Sequence, residues 1–270
     1  MAIGVTGAAG RMGRSVIQAV LADPRARLAG GCEAPGHPAV GTPIRDPGSG
    51  QTTGLDINAT PESLFAASDV VIDFTAPAAS TRHAALAAET GTALVIGTTG
   101  LGPAEQAAIA AAAARAPILV AANFSLGINL LLALTRLAAA RLGPDYDLEV
   151  LDFHHRHKKD APSGTALALL RAAAEGRGLA PEAALAALAA DRDGVRKPGA
   201  LGFAVLRGGD VVGEHSVILA GEGERLELTH RASDRTVFAR GALAAARWLA
   251  GRPPGLYSMA DVLGLETLGG

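Results

Sequence analysis

One stretch of the chain, residues 152–166, concentrates side chains that could do acid–base chemistry. Within it, residues 154–159 read His-His-Arg-His-Lys-Lys, so imidazoles and permanent cations follow one another directly. Imidazoles titrate near neutral pH and are the side chains most often used to move protons. The stretch is therefore the candidate for a general acid in a positively charged setting.

The second part of the same stretch predicts the beginning of a helix. Ser163 is a typical N-cap residue, Gly164 lets a ligand approach the backbone, and an apolar run follows from Ala166 to Leu170. The first turn of a helix presents free N–H groups and a positive dipole end, so it attracts anions. Together with the preceding cations, this start indicates a site that binds an acidic small molecule and protonates it.

Other interpretations of these residues stay open. A cationic run is usually a solvated face or a nucleic-acid patch. A net charge of -2 and an aromatic content of 3% argue against nucleic acid as a partner. His155 and His157 alternate and could bind a metal from one face of a strand, but no cysteine lies nearby and the adjacent lysines would repel a cation. Anion binding with proton donation is favoured, a solvated loop is the main alternative, and no metal is predicted.

Composition sets the broad class of the protein. The chain has 270 residues, of which 49% are hydrophobic and 19% charged, which suits one large or two moderate globular domains. The single cysteine, Cys32, excludes an internal disulfide and fits a reducing compartment. Neither a signal peptide nor a membrane span is predicted, so a soluble cytoplasmic protein without a membrane partner is the expectation.

The N-terminus predicts a dinucleotide site. An apolar strand, Ala2–Thr6, runs directly into Gly7-Ala-Ala-Gly-Arg-Met-Gly13, and a helix is predicted from Ser15 to Leu21. In this strand–turn–helix context the glycines allow a tight turn, close approach of a pyrophosphate and packing of the helix on the strand. A purely structural glycine turn is the alternative.

Glu33 bears on the choice of cofactor. It ends the second predicted strand, Arg27–Cys32, where an acid commonly binds the ribose hydroxyls of the adenosine half. A carboxylate there repels a 2′-phosphate, and the next residue is Ala34 rather than an arginine. NADH is therefore favoured, whereas Arg11 and Arg45 leave NADPH possible.

Regular alternation of strands and helices predicts a parallel α/β sheet in the first part of the chain. Strands are predicted at Val70–Thr75, Ala93–Ile96 and Ile118–Ala122, each ending in a loop that would face a ligand. Residues 34–58, rich in Gly, Pro, Thr and Asp, are expected to form a long irregular loop with at most short strands.

The pattern changes after a long apolar helix, Gly127–Leu142. The strands predicted near residues 203–207, 213–219 and 225–229 are separated by glycine-rich turns and are expected to be antiparallel and hairpin-linked. The predicted fold is α/β: an N-terminal Rossmann-like parallel-sheet domain with an inserted α+β domain that has an open mixed sheet. Residues 1–125 and 236–270 would bind the dinucleotide, and residues 126–235 would bind substrate and form the oligomer.

Taken together, these segments resemble the 4-hydroxy-tetrahydrodipicolinate reductase (dihydrodipicolinate reductase) family of the lysine and diaminopimelate pathway. The resemblance covers essentially the whole chain. Its most specific carrier is His154-His-Arg-His-Lys-Lys-Asp-Ala-Pro-Ser-Gly-Thr-Ala166, whereas the glycine loop is not specific. Further carriers are Ile72-Asp-Phe-Thr75, Val95-Ile-Gly-Thr-Thr-Gly100, Ala122-Asn-Phe-Ser125, Gly202-Phe203, Gly213-Glu-His215 and Leu228-Thr-His230.

The resemblance implies a role for individual residues. His154 matches the proton donor of the family, and Lys158 matches a second proton-donating, substrate-orienting residue. Positions that hold the substrate carboxylates match His155, Gly164 and Thr165, next to the predicted cap Ser163. The matching cofactor shell comprises Gly7, Ala8, Ala9, Gly10, Arg11, Met12, Glu33, Gly97, Thr98, Thr99, Ala121, Ala122, Asn123 and Phe124.

The family is typically a homotetramer that uses NADH or NADPH. This chain departs from many members at Ala34, where they place an arginine, and the departure puts use of NADPH in doubt. The roles of Asp73, Asp152 and Asp160 are left open by the sequence, since each could support a site residue or be a solvated acid. Arg235 could reach a substrate carboxylate.

Two other functions are alternatives for a chain with these residues. An acylating semialdehyde dehydrogenase needs a nucleophilic cysteine at the substrate, and Cys32 lies at the adenosine end of the predicted cofactor site, so that activity is rejected. A non-catalytic NADH sensor would explain the glycine loop, but it gives no reason for His154, Lys158 and the helix start at Ser163.

Overall fold

A computed structural model of the protein describes residues 1–188 and 195–265. Its contacts divide the chain into two compact units: Met1–Ser125 with Thr236–Val262, and Leu126–Arg235 with the tail from Leu263. The boundaries between the two units at 125/126 and 235/236 are the ones given for the predicted domains. The residues after Val262, which the prediction assigned to the first domain, group with the second unit. The parts of the predicted segments at 189–194 and 266–270 lie outside the described residues.

Strands and helices alternate through the first half of the chain. In chain order the elements are β1 (Ala2–Thr6), α1 (Arg11–Leu21), β2 (Arg27–Cys32), β3 (Pro43–Arg45), β4 (Thr52–Asn58), α2 (Pro61–Ala66), β5 (Val70–Asp73), α3 (Pro77–Thr90), β6 (Ala93–Ile96), α4 (Pro103–Ala113) and β7 (Pro117–Val120). They continue with α5 (Leu126–Leu142), β8 (Asp147–His154), α6 (Gly164–Gly176), α7 (Pro181–Leu188), β9 (Leu201–Arg207), β10 (Gly213–Gly221), β11 (Glu224–Ala232), α8 (Thr236–Leu249), β12 (Gly255–Tyr257) and α9 (Met259–Leu263).

The sheet of the first unit has the order β12-β7-β6-β5-β1-β2-β4-β3. Its neighbours pair in parallel except β3 with β4, and β1, β5 and β6 are buried along their whole length. Such continuous apolar strands are expected where helices cover both faces of a parallel sheet. The carboxyl ends of β2, β1, β5, β6 and β7 therefore lie along one edge, and the predicted Rossmann-like architecture is confirmed.

The prediction of an irregular loop with at most short strands over residues 34–58 is wrong for residues 52–58, which form a seven-residue strand. There β4 extends the parallel sheet beyond β2, and β3 pairs with it in the antiparallel sense. Only Ile57 of β4 is buried, and Gly54 interrupts the strand with a φ of +79°. A half-exposed strand of this kind carries too few apolar side chains to be recognised from its sequence.

The second unit is built on a four-stranded sheet of order β11-β10-β8-β9. β8 pairs in parallel with β9 and antiparallel with β10, so the sheet is mixed. The hairpin from β10 to β11 is confirmed, but the expected hairpin from β9 to β10 is wrong because β8 lies between them. The core of this unit joins the sheet to α5 and α6 through Ile128, Leu131, Leu148, Val150, Leu169, Leu170 and Val217.

One apolar segment of the second unit has the length of a membrane span. Residues Leu126–Asp145, which include α5, contain an 18-residue window with a mean hydropathy of 1.3. No membrane span was predicted from the sequence, and this apolar segment was not considered as one. Core helices of soluble proteins meet the same criteria, and Ile128, Leu131 and Ala139 of α5 belong to the buried core.

A buried carboxylate holds together the carboxyl ends of three elements of the first unit. Oδ1 of Asp73 accepts hydrogen bonds from the hydroxyls of Thr6 (3.0 Å) and Thr75 (2.6 Å), and Oδ2 lies 3.2 Å from Nδ1 of His83. The Thr75 amide donates in turn to the hydroxyl of Thr98 (3.0 Å). Burial alone would raise the pKa of Asp73, but the contacts with His83 and the hydroxyls outweigh it and lower that pKa.

We expect Gly241→Ala to destabilise the first unit. A Cβ at Gly241 of α8 would overlap the backbone carbonyl oxygen of Phe124, which cannot rotate away. Alanine in a helix interior normally gains about 0.5–1 kcal/mol over glycine, whereas overpacking costs about 1–3 kcal/mol, so the clash dominates. Urea denaturation checks this, with Gly48→Ala as the control because its Cβ would meet only side-chain ends, those of Gln18 at 3.3 Å and Asp46 at 3.5 Å. An unchanged or higher midpoint in Gly241→Ala would contradict the packing described.

We expect Asp73→Asn to lower the free energy of unfolding by on the order of 3 kcal/mol at neutral pH, because it replaces a buried carboxylate on which the ring of His83 and the hydroxyls of Thr6 and Thr75 converge. The folded-state pKa of Asp73 is lowered, so its contribution is complete above the unfolded pKa of about 4 and is lost as pH falls through the folded pKa. Denaturation of both proteins between pH 7 and pH ~3 measures this. A difference that stays constant on acidification would show that ionised Asp73 is not stabilising.

Candidate active site

The glycine loop of the first unit is shaped by close backbone contacts. Gly7 directly follows β1 and has a φ of +68°. A Cβ there would lie 2.7 Å from the carbonyl oxygen of Phe74. A Cβ on Gly13 would overlap the carbonyl oxygen of Gly7, so glycine is required for α1 to pack against the loop. Gly10 precedes α1 and has no side chain to cap it. The amides of the first turn of α1 are thus open to an anionic ligand.

Glu33 lies beside this loop. Its Oε1 accepts a hydrogen bond from the amide of Ala9 at 2.8 Å. A cavity of about 850 Å³ opens here, lined by Gly7, Ala9, Gly10 and Glu33 together with one face of α3 that includes Arg82. The cradle without Cβ atoms, the acid and the cavity fit the adenosine half of a dinucleotide.

The other predicted cofactor residues lie along the same edge of the sheet. Gly97 follows β6, and a Cβ there would overlap the ring of Phe74, whose centroid is 5.6 Å from that of Phe124 in an edge-on contact. The Thr98 hydroxyl accepts from Ser80 at 2.7 Å. Of the remaining predicted residues, Ala8 is buried behind the loop, Arg11 and Met12 open α1, Thr99 follows Thr98 in an exposed position, and Ala121, Ala122 and Asn123 follow β7.

In the second unit, β8 places an acid and a histidine on the same face. Leu148, Val150 and Asp152 are the buried positions of the strand, and His154 lies two residues further along. Alternate residues of a strand share a face. The apolar stripe of β8 therefore ends in a fully buried carboxylate followed by the histidine predicted to be the acid.

Asp152 is the centre of a group of polar contacts. Its Oδ1 lies 2.7 Å from Nδ1 of His154 and 3.4 Å from Nε2 of His215. Its Oδ2 accepts a hydrogen bond from the amide of Ser163 at 2.8 Å and lies 3.4 Å from the guanidinium of Arg207. Burial opposes ionisation of Asp152, but the contacts with both histidines and the Ser163 amide outweigh it and hold its pKa well below the ordinary range. Asp152 is thus a carboxylate at any working pH.

The helix predicted to begin at Ser163 is confirmed. The hydroxyl of Ser163 caps α6 by accepting from the amide of Ala166 at 3.1 Å, and it also lies 3.2 Å from Nε2 of His215. Gly164, the first helical residue, is exposed, and a Cβ there would meet nothing within 4 Å. The start of α6, including Thr165, is accordingly accessible to a ligand.

Lys158 is connected to Asp152 through two intermediates. Its ammonium lies 2.8–2.9 Å from the carboxylate of Asp160, and this contact lowers the pKa of that carboxyl. The backbone carbonyl of Asp160 accepts a hydrogen bond from the Arg207 guanidinium at 2.7 Å. Arg207 thereby ties the loop that carries Lys158 to the buried carboxylate.

His155 faces different surroundings from His154. It lines a cavity of about 690 Å³ together with Arg156, His157, Gly209, Asp210 and Arg235. Partial burial and then the charge of Arg235 lower the pKa of His155. The structure thus groups His154 with Ser163 and places His155 with other cations in a second, mainly basic cavity.

Sequence reasoning gave no role in this site to three of its residues, although Gly213 and His215 belong to a segment that carries the resemblance. His215 and Arg207 lie on β10 and β9 opposite Asp152 and His154, and a Cβ on Gly213 would lie 3.0 Å from Nε2 of His154. The alternation of Asp152 and His154 along β8 was the one available signal. Donor atoms of Asp152, His154 and His215 lie within 4.8 Å of one another, as in a cation site, but the guanidinium of Arg207 beside Asp152 opposes a cation.

Comparisons with known proteins identify the family of the chain. Residues 1–124 match the family model described as "Dihydrodipicolinate reductase, N-terminus", and residues 127–263 match "Dihydrodipicolinate reductase, C-terminus". The chain is 49% identical over 262 residues to the 4-hydroxy-tetrahydrodipicolinate reductase of Anaeromyxobacter dehalogenans, with 97% of each chain covered. It is 52% identical over 265 residues to the enzyme of the same name from Dinoroseobacter shibae, again with 97% of each covered.

A solved structure shows the same fold. The dipicolinate-bound dihydrodipicolinate reductase from Paenisporosarcina sp. TG-14 superposes with a TM-score of 0.75 at 22% identity, covering 97% of this chain and 98% of that one. Since both family models together span nearly the whole chain and the curated relatives are about half identical, the protein belongs to the dihydrodipicolinate reductase family.

Proposed function

We propose that this chain reduces 4-hydroxy-tetrahydrodipicolinate to tetrahydrodipicolinate with NAD(P)H, in lysine and diaminopimelate biosynthesis. The net reaction consumes the substrate, NAD(P)H and a proton, and it yields tetrahydrodipicolinate, NAD(P)⁺ and water. One observation carries the proposal: the carboxylate of Asp152 contacts both the ring of His154 and the amide of Ser163, so a proton donor is fixed beside an accessible helix start. The names of the half-identical relatives support it.

The first unit would bind the cofactor. When bound, the reduced nicotinamide supplies a hydride to C4 of the substrate ring. The amides at the start of α1 and the glycine loop hold the pyrophosphate, and Glu33 accepts hydrogen bonds from the ribose hydroxyls. The loops after β6 and β7, with Gly97–Thr99 and Ala121–Phe124, complete the shell.

The second unit would bind the substrate. A dicarboxylate is attracted by the N–H groups and the dipole of α6, where Ser163, Gly164 and Thr165 begin the helix. His155 and Lys158 add positive charge on the segment before it. These groups fix the orientation of the ring and neutralise the charge that the substrate brings into the site.

His154 and Lys158 would supply the proton. Negative charge develops on the conjugated imine system as the ring is reduced, and a proton from a positioned acid neutralises it. General acids of this type contribute about 100- to 10,000-fold to the rate. After the transfer His154 is a neutral imidazole whose Nδ1 still faces the carboxylate of Asp152.

NADH is the proposed preferred cofactor. The carboxylate of Glu33 repels a 2′-phosphate, and Ala34 supplies no charge to bind one. Glu62 and Glu89 also line the cavity, so Arg82 is outnumbered by acids there. NADPH is the proposed poorer cofactor.

The proposed assembly is a cytoplasmic homotetramer formed through the sheet of the second unit. β11 is an edge strand whose side chains are mostly exposed, and an edge with free N–H and C=O groups pairs readily with a second copy.

The thiol chemistry of a semialdehyde dehydrogenase is disfavoured by the state of Cys32. Burial and then the charges of Glu33 and Glu62 raise the pKa of its thiol to about 11, so the thiolate is scarce at neutral pH. An NADH sensor is the remaining alternative, and it gives no role to the contacts between Asp152, His154 and Ser163.

We expect His154→Ala and Lys158→Ala each to lower kcat by about 100- to 10,000-fold while NADH binding is retained, because each variant removes a proton donor from the second unit only. The measurement is the loss of NADH absorbance with enzymatically generated 4-hydroxy-tetrahydrodipicolinate, alongside NADH binding by fluorescence.

Lys159→Ala is the matched control for these variants. This exposed lysine directly follows Lys158 and has no proposed contact with the substrate, so its kcat should match that of the wild type. A wild type that binds NADH but does not oxidise it with this substrate would favour the sensor instead.

We expect Ala34→Arg to raise kcat/KM with NADPH by about tenfold or more, because a guanidinium beside the adenosine ribose can bind the 2′-phosphate. The wild type should show the higher kcat/KM with NADH. Ala34→Gln is the control, since it adds length without charge and should leave NADPH use unchanged. A wild type that prefers NADPH would contradict the role given to Glu33.

A further inference from the structure

The side chains around His154 form a row across the sheet of the second unit. In the register of β8 and β10, Asp152 lies directly opposite His215, and His215 lies opposite His230 of β11. Residues opposite one another in adjacent strands share a face. Asp152 therefore has His154 beside it along its own strand and His215 beside it across the sheet, with ring centroids of the two histidines 5.1 Å apart and edge-on.

These three side chains are almost completely enclosed. The side chain of Asp152 is 0% exposed, that of His215 6% and that of His154 12%. A buried carboxylate is tolerated only when several donors surround it, and each donor then has little freedom to move. His154 is thus held by its neighbours and does not sample solvent as a surface histidine would.

The ring of His154 is limited on two sides. Nδ1 lies 2.7 Å from Oδ1 of Asp152, and a Cβ on Gly213 would lie 3.0 Å from Nε2. Any larger residue at position 213 would press on the ring, so glycine leaves the space that Nε2 occupies. Asp152 holds one nitrogen, and the missing side chain of Gly213 makes room for the other.

The contact between His154 and Asp152 is close but bent. Among the described residues, neither Nδ1 of His154 nor Oδ1 of Asp152 has an aligned hydrogen bond. At a separation of 2.7 Å the pair is electrostatic, and a small rotation of the ring would align the N–H with the oxygen. Catalytic hydrogen bonds often tighten in this way only when substrate is bound.

We propose that Asp152, supported by His215 and by the absence of a side chain at Gly213, is the positioning residue for His154: it holds Nδ1 so that Nε2 is the atom that delivers the proton. A carboxylate at Nδ1 selects the neutral tautomer that carries its hydrogen there, which is the form left after Nε2 has given up a proton. This inference rests on the proposed role of His154 as the acid.

The same carboxylate couples the acid to the substrate site. Oδ2 of Asp152 accepts from the amide of Ser163, and the hydroxyl of Ser163 lies 3.2 Å from Nε2 of His215. The distance between the proton donor and the start of α6 is therefore set by one rigid group. Small errors in such a distance reduce the rate without weakening substrate binding.

The first test is Asp152→Asn, which keeps size and an oxygen for the Ser163 amide but presents an NH₂ group to His154. We expect kcat to fall by about tenfold or more with KM changed less than about threefold, because only proton delivery is impaired. Histidine ¹H–¹⁵N spectra at alkaline pH should show the proton of His154 on Nδ1 in the wild type and on Nε2 in the variant. His154→Gln assigns the signal.

Gly213→Ala tests the other side of the ring without touching Asp152, in case Asp152→Asn does not fold. It should lower kcat with KM preserved, whereas Gly208→Ala should not, because a Cβ there would meet only the ring of Phe153 at 3.4 Å, an ordinary contact. Both glycines lack the positive φ that would strain alanine.

Three results would overturn the inference. They are an unchanged kcat in both Asp152→Asn and Gly213→Ala, a wild-type His154 with its proton on Nε2, and a loss of wild-type activity on chelation by EDTA, which would make the three residues metal ligands. The spectra need no turnover, so they test the positioning of His154 even if the proposed reaction itself fails in the wild type.

Discussion

The buried carboxylate of Asp152 is the constraint on which the second unit depends. An ionised group away from water is stable only with several hydrogen-bond or charged partners, and Asp152 has four around it: His154, His215, Ser163 and Arg207. They come from β8, β9, β10 and the start of α6. Satisfying one charge therefore fixes four segments of chain relative to one another, and a site built on them is rigid.

The first unit also contains a buried carboxylate, Asp73, that needs several hydrogen-bond or charged partners. Asp73 ends β5, lies at 0% exposure and is surrounded by the Thr6 and Thr75 hydroxyls and the ring of His83. In both units an acid follows buried apolar residues at the end of a strand and ties that end to its neighbours. The loops that face ligands are in this way connected to the cores beneath them.

Local signals in the sequence were sufficient for much of this arrangement. Strand–turn–helix punctuation predicted the glycine loop, and the N-cap preference of serine placed the start of α6 at Ser163. The partners of Asp152 could not be predicted, because His215 reaches it through a strand register that no local pattern encodes. The predicted hairpin of β9 and β10 failed because β8, which comes much earlier in the chain, lies between these two consecutive strands. β4 was missed because too few of its side chains are buried and apolar.

The buried thiol of Cys32 can report on local opening of the first unit. The thiol is buried at the end of β2, its pKa is raised to about 11, and the chain has no other cysteine. With 3% of its surface exposed, Cys32 reacts with an alkylating reagent mainly when the chain around it opens, either along β2 or at the cavity that it lines, so the labelling rate measures that local opening. The local stability of the first unit can therefore be measured at one sulfur atom without an engineered probe, because the second unit has no cysteine that would react.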